Sequence, residues 1–114
     1  MKVKQIVEDI SWMPHPLADG VKIKPLVSQK EDDLDVTCML VFIPVGREVP
    51  EHIHEDQDDI LYPLKGQAMM WVEGTGEFPL EPGVVVRVPK GVRHKVVKIT
   101  EDILIYDVFT PALM

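Results

Sequence analysis

The chain has 114 residues, is 46% hydrophobic and carries a formal charge of -7, a size and apolar content that build the core of one domain without disulfides. Such acidity argues against nucleic acid and anionic membranes as partners, because both need clustered Lys and Arg. Cys38 is the only cysteine, and no run approaches the ~18 apolar residues of a membrane span, so a single soluble, cytoplasmic domain over residues 1–114 is expected.

The first ten residues hold one short apolar-alternating piece, Val3, Ile6 and Val7, before Pro14, Pro16 and Gly20 break regular structure. His15 lies between the two prolines and nothing periodic orients it, so it is expected as a loop or surface residue rather than a ligand. Val21 to Ser28 alternates apolar and polar positions, which predicts a half-exposed strand interrupted at Pro25 as edge strands tolerate. After an acidic turn, Lys30 to Asp33, the segment Val36 to Val45 is apolar on both faces, with Cys38, Leu40 and Phe42 on one and Met39, Val41 and Ile43 on the other. A strand of this kind is buried on both sides, and its outer face needs a second sheet, the N-terminal segment or another subunit. A homodimer is therefore expected. Cys38, inside this run, reads as a buried inert thiol.

Gly46 permits a tight turn and Pro50 cannot donate to a ladder, so a new strand is predicted around His52 and His54. Residues two apart on a strand point the same way, which sends both imidazoles to one face. The carboxylates Glu55, Asp56, Asp58 and Asp59 follow at once. Further strands are predicted at Ile60 to Lys65, Gln67 to Glu73, Glu77 to Leu80, Val84 to Val88, His94 to Ile99 and Ile103 to Phe109, separated by glycine-containing turns. Many short strands with no helical period point to an antiparallel all-β sandwich or barrel. Met69 and Trp71 share one strand face and Met70 and Val72 the other, so either pair can line the interior; Met69 and Trp71 are taken as candidate ligand contacts.

Gly46, His52, His54, Asp59 and Gly66, followed by Gly83, Pro89, Gly91 and His94, keep the order and spacing of the two cupin motifs, and the chain resembles a cupin. The resemblance implies an antiparallel double-stranded β-helix, or jelly roll, in which His52, His54, Asp59 and His94 bind one divalent metal. Asp59 stands where cupins more often carry Glu, Asp58 is the neighbouring alternative, and Lys98 stands where Asn is common. Three imidazoles and a carboxylate suit Mn, Fe, Ni, Cu or Zn, and leave positions open for substrate or water. Residues 106 to 111, Tyr-Asp-Val-Phe-Thr-Pro, are similar to the ending of small cupins of pectin degradation, which open the rings of unsaturated uronates. That similarity implies that Asp107 and Phe109 face the metal cavity, Asp107 as a candidate catalytic base and Phe109 as a substrate contact. The Arg of that ending falls on Leu113, which removes the cationic partner of a uronate carboxylate. Two functions are carried forward: a metal-dependent isomerase, lyase or oxygenase acting on a sugar acid or other small oxygenated metabolite, and a non-catalytic cupin that binds or senses a small molecule.

Overall fold

In the computed structural model, which describes residues 3–114, the strands are β1 (Met13–Pro14), β2 (Lys22–Val27), β3 (Thr37–Ile43), β4 (Val49–His52), β5 (Asp58–Val72), β6 (Gly76–Leu80), β7 (Val86–Val88) and β8 (His94–Thr110). One turn of helix, α1 (Gln29–Asp32), occupies the predicted acidic turn, started by Ser28, whose hydroxyl accepts from Glu31 N at 3.1 Å. Every strand pairing is antiparallel, in the order β1-β2-β3-β8-β5-β6, with β4 on β8 and β7 on β5. Among the described residues no helix is long and apolar enough to cross a membrane.

Two pairs of predicted strands are each a single bent strand. β5 absorbs the segments on either side of Gly66, and β8 absorbs His94 to Ile99 and Ile103 to Phe109. Both change inward parity at the bend. In β5 the buried residues are Asp59, Leu61 and Pro63 before three register shifts, and Ala68, Met70 and Val72 after them. In β8 they run His94 and Val96, then Ile99, Ile103, Ile105, Asp107 and Phe109. The switch in β8 coincides with Lys98, whose φ of 52° is left-handed, a conformation that Asn accepts more readily than Lys. Each long strand thus serves two walls of the jelly roll, and both of its halves face one interior.

β2 has β1 beside only its first two residues, and the register breaks after Pro25, so the proline sits where no donor is required. On β3 the face of Met39, Val41 and Ile43 is buried, whereas Cys38, Leu40 and Phe42 are only half-buried. The N-terminal segment covers part of that outer face, with the Trp12 and Phe42 rings 6.3 Å apart. Cys38 is therefore half-buried rather than buried.

Gly66 has φ +91°, and a Cβ on it would overlap the backbone oxygen of Asp102 on β8. Only glycine lets β5 and β8 approach at the bend. Replacing it with Ala is expected to lower unfolding free energy by about 2 kcal/mol or more, read by urea denaturation; a loss within ~0.5 kcal/mol would contradict the close approach.

Candidate metal centre

Two of the three motif histidines meet through strand pairing. His52 ends β4 and lies directly opposite His94, the first residue of β8, and their ring centroids are 4.2 Å apart. His54 lies two residues past the end of β4, not on the strand that the two-residue spacing predicts. Its ring still reaches the others, 4.9 Å from His52 and 5.4 Å from His94. A hydrogen bond from Gly91 N to His54 O, 2.8 Å, ties the loop carrying His54 to the turn that precedes His94. One ligating nitrogen from each of the three rings falls within 4.8 Å of the others.

The tautomers of two rings follow from their partners. A backbone carbonyl can only accept, so His52 Nδ1–H donates to Pro50 O at 2.7 Å and His94 Nδ1–H donates to Val92 O at 3.0 Å. In the neutral ring this leaves the lone pair on Nε2, and carbonyl-held rings of this kind are how proteins orient metal-binding histidines. His94 is 2% exposed and its Nε2 has no hydrogen-bond partner among the described residues.

Asp59 sits opposite Phe109 on the inward face of β5, 3% exposed, with Oδ2 3.4 Å from His94 Nε2 and 3.8 Å from His54 Nε2. In an octahedral shell with bonds of about 2.1 Å, donors side by side are about 3.0 Å apart and donors on opposite sides about 4.2 Å. Both Asp59 separations lie in that interval. Asp59 Oδ1 is also buried without a hydrogen-bond partner among the described residues, so His94 Nε2 and the Asp59 carboxylate present lone pairs to one another. A divalent transition metal fits such a set, since imidazole and carboxylate are its preferred ligands. Asp58 points elsewhere: its Oδ1 accepts from Lys90 N at 2.9 Å, and Oδ2 lies 3.6 Å from Arg87 Nη1.

The histidines and Asp59 open into a cavity of about 320 Å³. Its polar wall consists of His15, His52, His54, His94, Asp59 and Asp107, and the remaining lining is apolar. Asp107 is paired with Leu61 and therefore diagonal to Asp59 across the β5–β8 ladder. Burial, then the charge of Asp59 and a hydrogen bond with it, hold the Asp107 carboxyl well above the ordinary carboxylate range. Phe109 stands edge-on to His54, with centroids 5.0 Å apart, so Asp107 and Phe109 both face the cavity.

Met69 and Trp71 do not line it. The parity switch in β5 turns Met70 and Val72 inward and leaves Met69 and Trp71 half-buried on the outer face, where Lys95 Nζ lies 5.5 Å from the Trp71 ring. His15, expected as a loop or surface residue, is in a loop but forms part of the cavity wall. Its position carries no periodic signal; the flanking prolines, which stiffen the segment, were the only local hint.

A family model described as "Cupin domain" matches residues 39–109. The chain belongs to the cupin family. Quercetin 2,3-dioxygenase of Bacillus subtilis (strain 168) is 32% identical to this cupin over 69 residues, which are 60% of the present chain and 20% of the dioxygenase, so the chain spans a fifth of that relative's length. KdgF from Halomonas sp. superposes with a TM-score of 0.79 at 25% identity, covering 93% of this chain and 92% of that one. Ectoine synthase from P. lautus gives 0.84 at 19% identity over 100% of this cupin and 80% of the synthase, a likeness of fold.

Desolvation lowers the His52 pKa and brings that of His54 down to about 4, the latter opposed by the Asp59 charge. The folded protein therefore resists protonating these rings, while an unfolded chain takes up protons below 6.5. Stability is intact above that value and falls as pH drops from 6.5 toward 4. Metal-free protein should show a melting midpoint that declines across this window in scanning calorimetry, and a flat midpoint would contradict the buried, neutral imidazoles.

Proposed function

We propose that this cupin is a metal-dependent enzyme of small oxygenated metabolites, in which His52, His54, Asp59 and His94 hold one divalent ion, Mn, Fe, Ni, Cu or Zn. The observation that carries the reading is the buried His94 Nε2 lone pair facing the Asp59 carboxylate at 3.4 Å with no hydrogen-bond partner among the described residues, an arrangement costly to bury unless a cation joins the two. A bound ion supplies Lewis acidity toward a substrate oxygen.

The chain's own residues supply the rest. Burial, then the charge of Asp59 beside it, raise the Asp107 pKa well above the ordinary carboxylate range, and this carboxyl exchanges a proton with the reacting group as acid or base. Phe109 packs on the substrate body and fixes His54 edge-on. The apolar wall excludes water, which strengthens every polar contact inside. Isomerisation, lyase chemistry and oxygenation are all open to this set, and the acidic substrates tested first are sugar acids and organic acids.

Metal-loaded protein screened against small oxygenated metabolites, among them uronates, keto acids, oxalate and catechols, is expected to turn over at least one, and His52→Ala to abolish it. Metal-dependent binding without turnover of any compound would instead make the protein a non-catalytic small-molecule cupin. Asp59→Asn should weaken metal affinity by about 10–100-fold in competition with a chelator dye, and Asp58→Asn far less; the reverse order would place the ligand at Asp58. Asp107→Asn should abolish turnover yet raise the stability of metal-free protein at neutral pH, since it removes a buried ionisable carboxyl.

A homodimer is part of the same reading. Leu40, Tyr106 and Tyr62 form one outward row across β3, β8 and β5, with Phe42 and Leu104 as the next pair, and Tyr62 and Leu64 are 45% and 49% exposed. A row of this composition supports self-association. Sedimentation should give a dimer at micromolar concentration and a monomer for Tyr62→Glu; a wild-type monomer would overturn the assignment.

A further inference from the structure

His15 lies outside both motifs and outside residues 39–109, yet it lines the cavity. The strap that carries it is held by backbone: β1 pairs Met13 with Ile23 and Pro14 with Lys22, and His15 N donates to Val21 O at 2.9 Å. The His15 Nδ1 accepts two backbone N–H groups, from Leu17 at 3.0 Å and Ala18 at 3.2 Å. A ring nitrogen that accepts bears no proton, so the ring proton is on Nε2. The fold thus fixes the ring's position and its tautomer together, and among the described residues no acceptor bonds Nε2.

The charges of the cavity limit what that donor meets. Among the described residues no Lys or Arg lines it. Lys24 Nζ is engaged by Val7 O at 2.9 Å and lies 4.8 Å from the Trp12 ring, and Arg47 pairs with Asp19 at 2.7 Å. An anionic group away from the metal would find no counter-charge there, and would approach Asp59 and Asp107.

We propose that His15 is a positioning residue whose Nε2–H hydrogen-bonds an acceptor oxygen of the ligand, and that the ligand has an uncharged, apolar body carrying its metal-binding oxygens at one end. The proposal rests on the metal site described above and adds the substrate class and a specificity residue to it.

The test uses full-length zinc-loaded protein, zinc being redox-inert, with catechol and galacturonate as probes in titration calorimetry. His15→Asn is the informative variant, because an Asn side-chain oxygen accepts the same nearby backbone N–H groups and preserves the turn, while the Nε2 donor is lost. The expected result is equal zinc content in both proteins, catechol binding about tenfold weaker in His15→Asn, and wild-type affinity higher for catechol than for galacturonate. Two-bond proton–nitrogen spectra of the wild type should show His15 as the Nε2–H tautomer, with the Nε2 signal moving when catechol is added. Equal catechol affinity in the two zinc-loaded proteins, tighter binding of galacturonate, or an Nδ1–H tautomer overturns the proposal, and the spectra decide it even if the variant fails to fold. Wild-type protein that takes up no zinc overturns the metal-site reading, and this proposal with it.

Discussion

The contact on which the structure turns is the approach of His94 Nε2 to Asp59 Oδ2, 3.4 Å apart and almost wholly screened from water. Both atoms are electron-rich once the Nδ1–H of His94 is committed to Val92 O. In water such a pair is solvated; inside an apolar barrel it repels unless a cation lies between. The fold does not avoid this arrangement but enforces it from two directions. The pairing of β4 with β8 delivers His94 beside His52, and the pairing of β5 with β8 delivers Asp59.

That enforcement depends on two long strands that bend and change parity. β8 supplies His94 from one half and Asp107 and Phe109 from the other, and these residues share an interior only because the alternation resets near Lys98. β5 resets near Gly66, where the backbone of Asp102 lies too close for any side chain. Outside the cavity, Asp58 ties β5 to Lys90, and Gly91 ties the next turn to His54. The acidic residue beside the ligand candidate is thus a backbone anchor that holds the two motif loops in register.

How much of this could be read from the sequence follows from the range of each signal. Turn glycines, prolines and histidine spacings are local, so the cupin motifs were legible; β3 reads as apolar on both faces, but only the face of Met39, Val41 and Ile43 is buried. Period-two reasoning works only within an unbroken strand. It correctly grouped Met69 with Trp71 and Met70 with Val72, but a register shift decides which group turns inward, and that shift is set by the approach of β8. The same reasoning predicted His52 and His54 on one strand; the structure ends the strand at His52 and brings His54 in through a loop. His15 was hidden for a different reason. Its ring is oriented by the N–H groups of Leu17 and Ala18, a local turn of a residue type that carries no strong turn preference.

The most direct measurement is anomalous diffraction at a metal absorption edge, from crystals of the protein loaded with that metal. The account predicts one peak among the Nε2 atoms of His52 and His94, the His54 ring and the Asp59 carboxylate, about 2.1 Å from each ligating atom. A peak absent from this position, or one bound through Asp58 with Asp59 turned away, would contradict it.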